Sequence, residues 1–242
     1  MRLILFLMSH DSSHEIEIKL PVPDAAVIGR RLRTMGARSG PRVHEANLAF
    51  DTPDASLRRR EMLLRLRVER RASRVVPSKS REERIALLDS WMFPARRRQA
   101  AIVTFKGPPS AAALADAASL SAPGSEPNNY KIRREVEFEV SDASRFRELL
   151  AALGFRPAFY YEKLRTTYRV PRIRELIIAL DETPAGSFLE LEGPPPAIDR
   201  ARRELGYRSE DTILLSYAGI FAAHRRATGL PMTDMLFIRP SQ

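Results

Sequence analysis

The chain has 242 residues, 44% of them hydrophobic, which allows one large domain or two small ones with a sizeable core. It contains no cysteine, so disulfides, thiol catalysis and zinc–thiolate sites are excluded, and a reducing, cytoplasmic setting fits. The formal charge of +10 points to an anionic partner such as nucleic acid, an acidic membrane surface or a phosphate ester. Of the 40 basic residues only five are lysines: Lys19, Lys79, Lys106, Lys131 and Lys163. Lysine is a compact point charge that arginine replaces poorly at a phosphate site, so each of the five gains interest.

The apolar run Met1–Met8 is too short to span a bilayer and no small-residue cleavage site follows it. Residues 1–13 are expected to be a leader or tail, with Met8 as an alternative start; an extra edge strand is the other reading. His14–Leu20 alternates strictly, placing Glu15, Glu17 and Lys19 on one face of a strand and Ile16, Ile18 and Leu20 on the other. Pro21–Asp24 punctuates, Asp24 is a candidate N-cap, and the spacing predicts a helix over 25–35 that Gly36 ends. Strands are expected at 43–51 and 62–70 with a turn at 52–54 between them. Residues 71–99 fit neither period and read as a long basic connection with a short helix near 81–90. A strand over 101–106 ends at Gly107-Pro108-Pro109. An Ala-rich helix over 110–121 and a loop over 122–129 are expected next. The pattern then predicts a strand at 131–140 and a helix at 143–153 capped by Ser141-Asp142 and ended by Gly154. Strands near 158–170, 174–182 and 187–192 follow, then helices at 197–205 and 210–227. The tail 229–242 holds one candidate short strand, Met235–Ile238.

About eight strands with hairpin-length connections favour antiparallel pairing in a closed or nearly closed barrel, an α+β fold with flanking helices. Charge at spacing two recurs along these strands: Glu15/Glu17/Lys19, Arg65/Arg67, Arg133/Glu135/Glu137/Glu139, Lys163/Arg165 and Glu190/Glu192. Any one such pair is best read as the salt-bridged outer face of an amphipathic strand. The recurrence, with Lys19 and Lys163 in it and a third lysine of the five, Lys106, on another of the strands, favours a charged cavity. Carboxylates there would hold Mg²⁺ or Mn²⁺, and lysines and arginines would grip phosphate. His10, His14, His44 and His224 show no metal-ligand spacing. Tyr160, Tyr161 and Tyr168 fit strand propensity and need no ligand. The runs Arg58-Arg59-Arg60 and Arg96-Arg97-Arg98 read as solvated loop charge, because few aromatics interleave for base stacking.

Six motifs stand in a fixed order: Glu15-x-Glu17-x-Lys19, Leu64-Arg65-Leu66-Arg67, Thr104-Phe105-Lys106-Gly107-Pro108, Arg133-Arg134-Glu135-Val136-Glu137, Tyr161-Glu162-Lys163-Leu164-Arg165, and Asp181 followed by Gly186–Glu192. In that order they resemble the CYTH, or triphosphate tunnel metalloenzyme, superfamily over roughly residues 14–220. That group includes class IV adenylate cyclases, thiamine triphosphatases and inorganic triphosphatases. The resemblance implies that Glu15, Glu17, Glu190 and Glu192 bind divalent metal, with Asp181 close by. It implies that Lys19, Arg65, Arg67, Lys106, Arg133, Lys163 and Arg165 contact the triphosphate. Glu15, Glu17, Lys19 and Lys106 would serve catalysis, assisted by Glu137. Arg134 rivals Arg133; parity with Glu135 and Glu137 favours Arg133 unless a bulge intervenes. The expected organisation is one tunnel domain over 14–228 with long insertions near 71–99 and 110–129. The expected activity is metal-dependent hydrolysis of a triphosphate, with Mg²⁺ or Mn²⁺ as cofactor. The alternatives are a class IV adenylate cyclase making cyclic AMP from ATP, and non-catalytic polyphosphate or RNA binding. The expected partner is a triphosphate-containing small molecule, with no membrane and no nucleic acid; a homodimer is left open.

Overall fold

The computed structural model describes residues 14–71, 101–110, 130–231 and 233–237. Eight strands, β1 (His14–Pro21), β2 (Arg38–Asp51), β3 (Leu63–Arg71), β4 (Ala101–Pro109), β5 (Lys131–Val140), β6 (Arg156–Val170), β7 (Ile173–Thr183) and β8 (Gly186–Glu192), pair antiparallel. Their order, β1-β5-β4-β3-β2-β6-β7-β8, closes on itself through the β1–β8 pair. Among the described residues five helices flank this α+β barrel: α1 (Ala25–Thr34), α2 (Ser56–Arg59), α3 (Ala143–Ala152), α4 (Pro195–Glu204) and α5 (Tyr217–Thr228).

Alternation decides which way each side chain points, and here it turns the usual barrel inside out. Ile18 and Leu20 face outward and are buried beneath α1 and α4, in one cluster with Ile28, Leu32, Leu176 and Ile198. The Asp24 carboxylate caps α1 by accepting from the backbone N–H groups of Ala26 (2.7 Å) and Val27 (3.1 Å). A second outer cluster joins Leu48, Leu66, Val68 and Val103 to Leu150 on α3. Because the apolar faces find their core outside the barrel, the charged faces are left to the interior. Gly193 makes the exit from β8 feasible: at φ 149°, a Cβ there would lie 2.6 Å from the Glu175 carbonyl oxygen.

Five local expectations change. β2 starts at Arg38 rather than at 43, and β4 runs on through Gly107 to Pro109 with a register shift after Lys106. The turn after β2 continues into α2, because Asp51 accepts from the backbone N–H groups of Leu57 (2.9 Å) and Arg58 (3.1 Å). The single helix expected over 210–227 is instead a 3-10 turn, Ser209–Asp211, then an extended segment and α5. The segment stays extended because the Ile213 N–H donates to the Lys19 carbonyl oxygen (2.8 Å) and Ser216 caps α5 through the Gly219 N–H (3.2 Å). Met235 makes one parallel bridge to Tyr161 rather than a strand. The expected leader at 1–13, the helices near 81–90 and 110–121, the loop at 122–129, the Arg96–Arg98 run and the end of the candidate strand at Ile238 lie outside the described residues.

Candidate active site in the tunnel

The inward faces enclose a cavity of about 1530 Å³. It gathers Glu15, Glu17 and Lys19 from β1, Arg65 and Arg67 from β3, Lys106 from β4, Arg133 and Glu137 from β5, Lys163 and Arg165 from β6, and Glu190 and Glu192 from β8. Asp181 is fully buried beside this wall. Arg133 faces the cavity and Arg134 faces out, because the β1–β5 register runs unbroken from His14↔Arg134 to Glu17↔Lys131.

On the β6–β7 side each carboxylate is held by cations. Lys163 Nζ donates to Asp181 Oδ2 (2.9 Å) and lies 3.3 Å from Glu45 Oε2. Arg165 grips Asp181 through two bonds of 2.6 Å and also bonds Glu190. The Tyr217 hydroxyl donates to Asp181 Oδ2 (2.5 Å). Lys19 Nζ lies 3.3 Å from Glu190 Oε1 and 4.1 Å from the centre of the Tyr217 ring. Arg65 donates to the Tyr161 hydroxyl (3.2 Å) and to Thr104 Oγ1 (2.9 Å), while Arg67 Nη2 lies 3.2 Å from Glu137 Oε1. Burial alone would raise the Glu45 carboxyl; Lys163, Arg165, Arg67 and Arg65 outweigh it and pull it down to about 2. Glu190 is likewise held well below the usual carboxylate range, its burial outweighed by Arg165 and Lys19. Burial and the nearby Asp181 push the Tyr217 hydroxyl well up, so it stays a donor.

The β1–β5–β8 side is different. Glu15, Glu17, Glu135 and Glu192 crowd around Lys106, which bonds Glu15 and lies 3.5 Å from Glu135 Oε2. Glu17 and Glu192 sit opposite each other across the β1–β8 pair, and Arg133 comes no nearer to Glu17 than 3.9 Å. Burial, then Glu17 and Glu135, outweigh Lys106 and push the Glu15 carboxyl up to about 8. Burial raises Glu192 as well, with Glu135, Glu17 and Glu190 adding to it. Lys131 faces the same cavity, and burial with the nearby Lys19 and Arg133 pushes it down to about 8.

Among the described residues no three His, Cys, Asp or Glu groups converge as a ready-made metal cage. The donor chemistry nevertheless fits a hard divalent cation: all donors are carboxylate oxygens, and Lys106 offsets only part of their mutual repulsion. Asp181 is placed differently from these four, since both its oxygens already accept from Lys163, Arg165 and Tyr217.

Several lining groups lie beyond the expected set. Tyr161, read from the sequence as a strand residue needing no ligand, stands in the cavity wall and accepts from Arg65. Glu45 does not line the cavity itself but is buried against Lys163, and it was legible from parity, since it shares a face of β2 with Asn47 and with the cavity-lining Ala49. Lys131 and Glu135 belong to the alternation of β5. Tyr217 reaches the site from α5, outside the barrel, where no strand period could indicate it.

The sequence pattern that defines the CYTH domain matches residues 13–217. The chain belongs to the CYTH family. Members of this family act on triphosphates and are in general metal-dependent. No curated protein matches the chain. Among solved structures, a candidate adenylate cyclase from Vibrio parahaemolyticus is 16% identical, with a TM-score of 0.60 over 86% of this chain and 97% of that one. A Pyrococcus horikoshii protein is 21% identical, with a TM-score of 0.58 over 87% and 99% of the two chains. A Hippeastrum protein, a candidate adenylyl cyclase with a dominant triphosphatase activity, is 18% identical with a TM-score of 0.50 over 90% and 98%. At such identities the likeness is one of fold. Among the described residues no helix is long and apolar enough to cross a membrane.

Proposed function

We propose that this CYTH protein is a metal-dependent hydrolase of a triphosphate substrate. The observation that carries this reading is the divided tunnel wall. One arc presents cations held in place by buried carboxylates, and the facing arc presents carboxylates short of countercharge. Lys19, Arg65, Arg67, Lys106, Arg133, Lys163 and Arg165 bind the phosphate oxygens. Glu15, Glu17 and Glu192, with Glu135 beside them, hold Mg²⁺ or Mn²⁺. When bound, that ion polarises phosphoryl oxygens and lowers the pKa of water. Asp181 serves as a positioning residue, fixing Lys163 and Arg165, and Glu137 does the same for Arg67. Glu190, held by Arg165 and Lys19, stands where the two arcs meet.

In the reaction a water oxygen bonds to the terminal phosphorus, and the bond from that phosphorus to the bridging oxygen breaks. The bridging oxygen leaves with the rest of the substrate, and the released proton passes to solvent. Fixed cations stabilise the charge on the leaving group without having to reorganise. The test is phosphate release from tripolyphosphate and from ATP with Mg²⁺ or Mn²⁺. Wild type is expected to release phosphate, and Glu17→Gln and Lys19→Ala to lose that activity while keeping the circular dichroism of the folded barrel. Full phosphate release by either variant would sink the assignment. Cyclic AMP and diphosphate from ATP, with tripolyphosphate inert, would replace it with the cyclase reading.

A further inference from the structure

Of the six large hydrophobic side chains exposed among the described residues, four belong to one region outside the barrel: Val136 and Phe138 on β5, Leu149 on α3 and Leu153 directly after it. Alternation accounts for the first pair, because Glu135 and Glu137 point into the cavity and turn Val136 and Phe138 outward. Helical spacing accounts for the second, because Phe146, Leu149 and Leu153 lie at i, i+3 and i+7 and share one face. Phe138 and Phe146 join the two rows edge to face, with ring centres 6.5 Å apart. Contiguous exposed apolar surface marks an interaction site.

The same region indicates what covers it. The β1–β5 ladder stops at His14↔Arg134, six residues short of the end of β5 at Val140. On that side residues 135–140 have no partner strand among the described residues, and the chain preceding His14 arrives beside Val136. That preceding chain carries Leu3-Ile4-Leu5-Phe6-Leu7-Met8, six apolar residues without a charge. Extended, Ser9–Ser13 reach about 17 Å, whereas β5 takes about 14 Å from Arg134 to Phe138. Another free edge of the barrel is already covered by a segment from the other end of the sequence. β6 has no β7 partner before Leu164, and there the buried Met235 donates its N–H to the Tyr160 carbonyl oxygen (3.0 Å) and accepts from the Glu162 N–H (2.9 Å).

We propose that Leu3–Met8 docks on the apolar surface of Val136, Phe138, Phe146, Leu149 and Leu153. Docking fastens the free end of β1, where His14–Ile16 have β5 as their only strand partner among the described residues. Glu15 of the acidic arc lies within that end. The inference stands apart from the triphosphate reading.

Hydroxyl-radical footprinting reads the exposure of these side chains in the full chain and in a variant lacking residues 2–7, with circular dichroism checking the barrel. Phe138, Leu149 and Leu153 are expected to be shielded in the full chain and to lose that shielding in the variant. Urea unfolding supplies a second measurement. Leu149→Gln should lower the midpoint in the full chain and leave it unchanged in the shortened one, because sites in contact are not additive. Leu5→Asp/Leu7→Asp in the full chain should act like the deletion, and decides the matter if the shortened chain fails to fold. Oxidation of Phe138, Leu149 and Leu153 that is equal in all three proteins overturns the proposal. Shielding that then fades on dilution gives the surface to a second copy of the chain, and shielding independent of concentration gives it to another segment.

Discussion

Two arcs of one barrel wall bury the same chemical group with opposite results. Between β2, β6 and β7, Glu45 is almost fully buried and its carboxyl falls to about 2. Between β1, β5 and β8, Glu15 is also largely buried and its carboxyl rises to about 8. Desolvation opposes the charge in both places, so burial is not what separates them. Countercharge is. Glu45 faces Lys163, Arg165, Arg67 and Arg65, whereas Glu15 shares Lys106 with Glu17 and Glu135. The first arc is complete as a protein structure and holds its cations rigidly. The second leaves its carboxylates short of countercharge, and on the proposed reading that is the side of the tunnel that takes the metal.

Removing a carboxylate from the complete arc should have the largest effect. Glu45→Gln strands the buried Lys163 and Arg165 with less compensation and is expected to cost about 3–5 kcal/mol in urea unfolding. Glu17→Gln in the other arc should cost far less. The pH dependence follows from the direction of the shift. Glu45 is depressed from an ordinary value of 4.5 to about 2, so its contribution is full above about 4.5 and is lost as pH falls toward 2. Wild type should therefore lose stability over that window more steeply than the Glu45→Gln variant. Equal acid limbs in the two proteins would show that Glu45 is not the group that matters.

The second arc is probed by metal. Mg²⁺ or Mn²⁺ at a hundredfold over its Kd should stabilise wild type by about 2.7 kcal/mol, read as a rise in melting temperature. A Glu15→Gln/Glu192→Gln variant should show no such rise. Without metal the pH slope of this arc has the opposite sign. Glu15 is raised to about 8, so the folded state holds its proton more readily, and stability falls as pH climbs from 4.5 through about 8. Glu15→Gln should flatten that limb. A variant that kept both the metal effect and the limb would contradict the division of the wall.

The division was only half legible in the sequence. Alternation placed Glu15, Glu17 and Lys19 on one face and Ile18 and Leu20 on the other, and the barrel keeps that partition. Parity could not say which strands become neighbours. Glu17 meets Glu192, and Lys163 meets Glu45, only through pairings between strands far apart in the chain. Asp181 was legible as an acidic site residue but not as one already saturated, because its third partner, Tyr217, comes from a helix. The extended segment before α5 was hidden for a related reason. Thr212–Ser216 is apolar enough to pass for helix, and it stays extended only because its backbone bonds to β1.

The gentlest substitutions are those on the two faces of β5. Arg133 and Arg134 are adjacent, and a single β-bulge in β5 would exchange their faces. The β1–β5 register has no such shift: Glu15 pairs with Arg133 and His14 with Arg134. Arg133 lies 3.9 Å from Glu17 and donates to the Glu61 carbonyl oxygen (3.4 Å), while Arg134 is exposed. Arg134→Ala should change stability by no more than about 0.5 kcal/mol, as for most surface substitutions, and leave turnover unaltered. Arg133→Ala should raise KM for the triphosphate with little change in stability, because the half-buried cation it removes lines the cavity and lies no nearer than 3.9 Å to a carboxylate. If instead Arg134→Ala raised KM and Arg133→Ala did not, β5 would carry a bulge on its path from Lys131 to Glu137. Glu135 and Glu137 would then leave the cavity together, and the acidic arc would lose one of its four carboxylates.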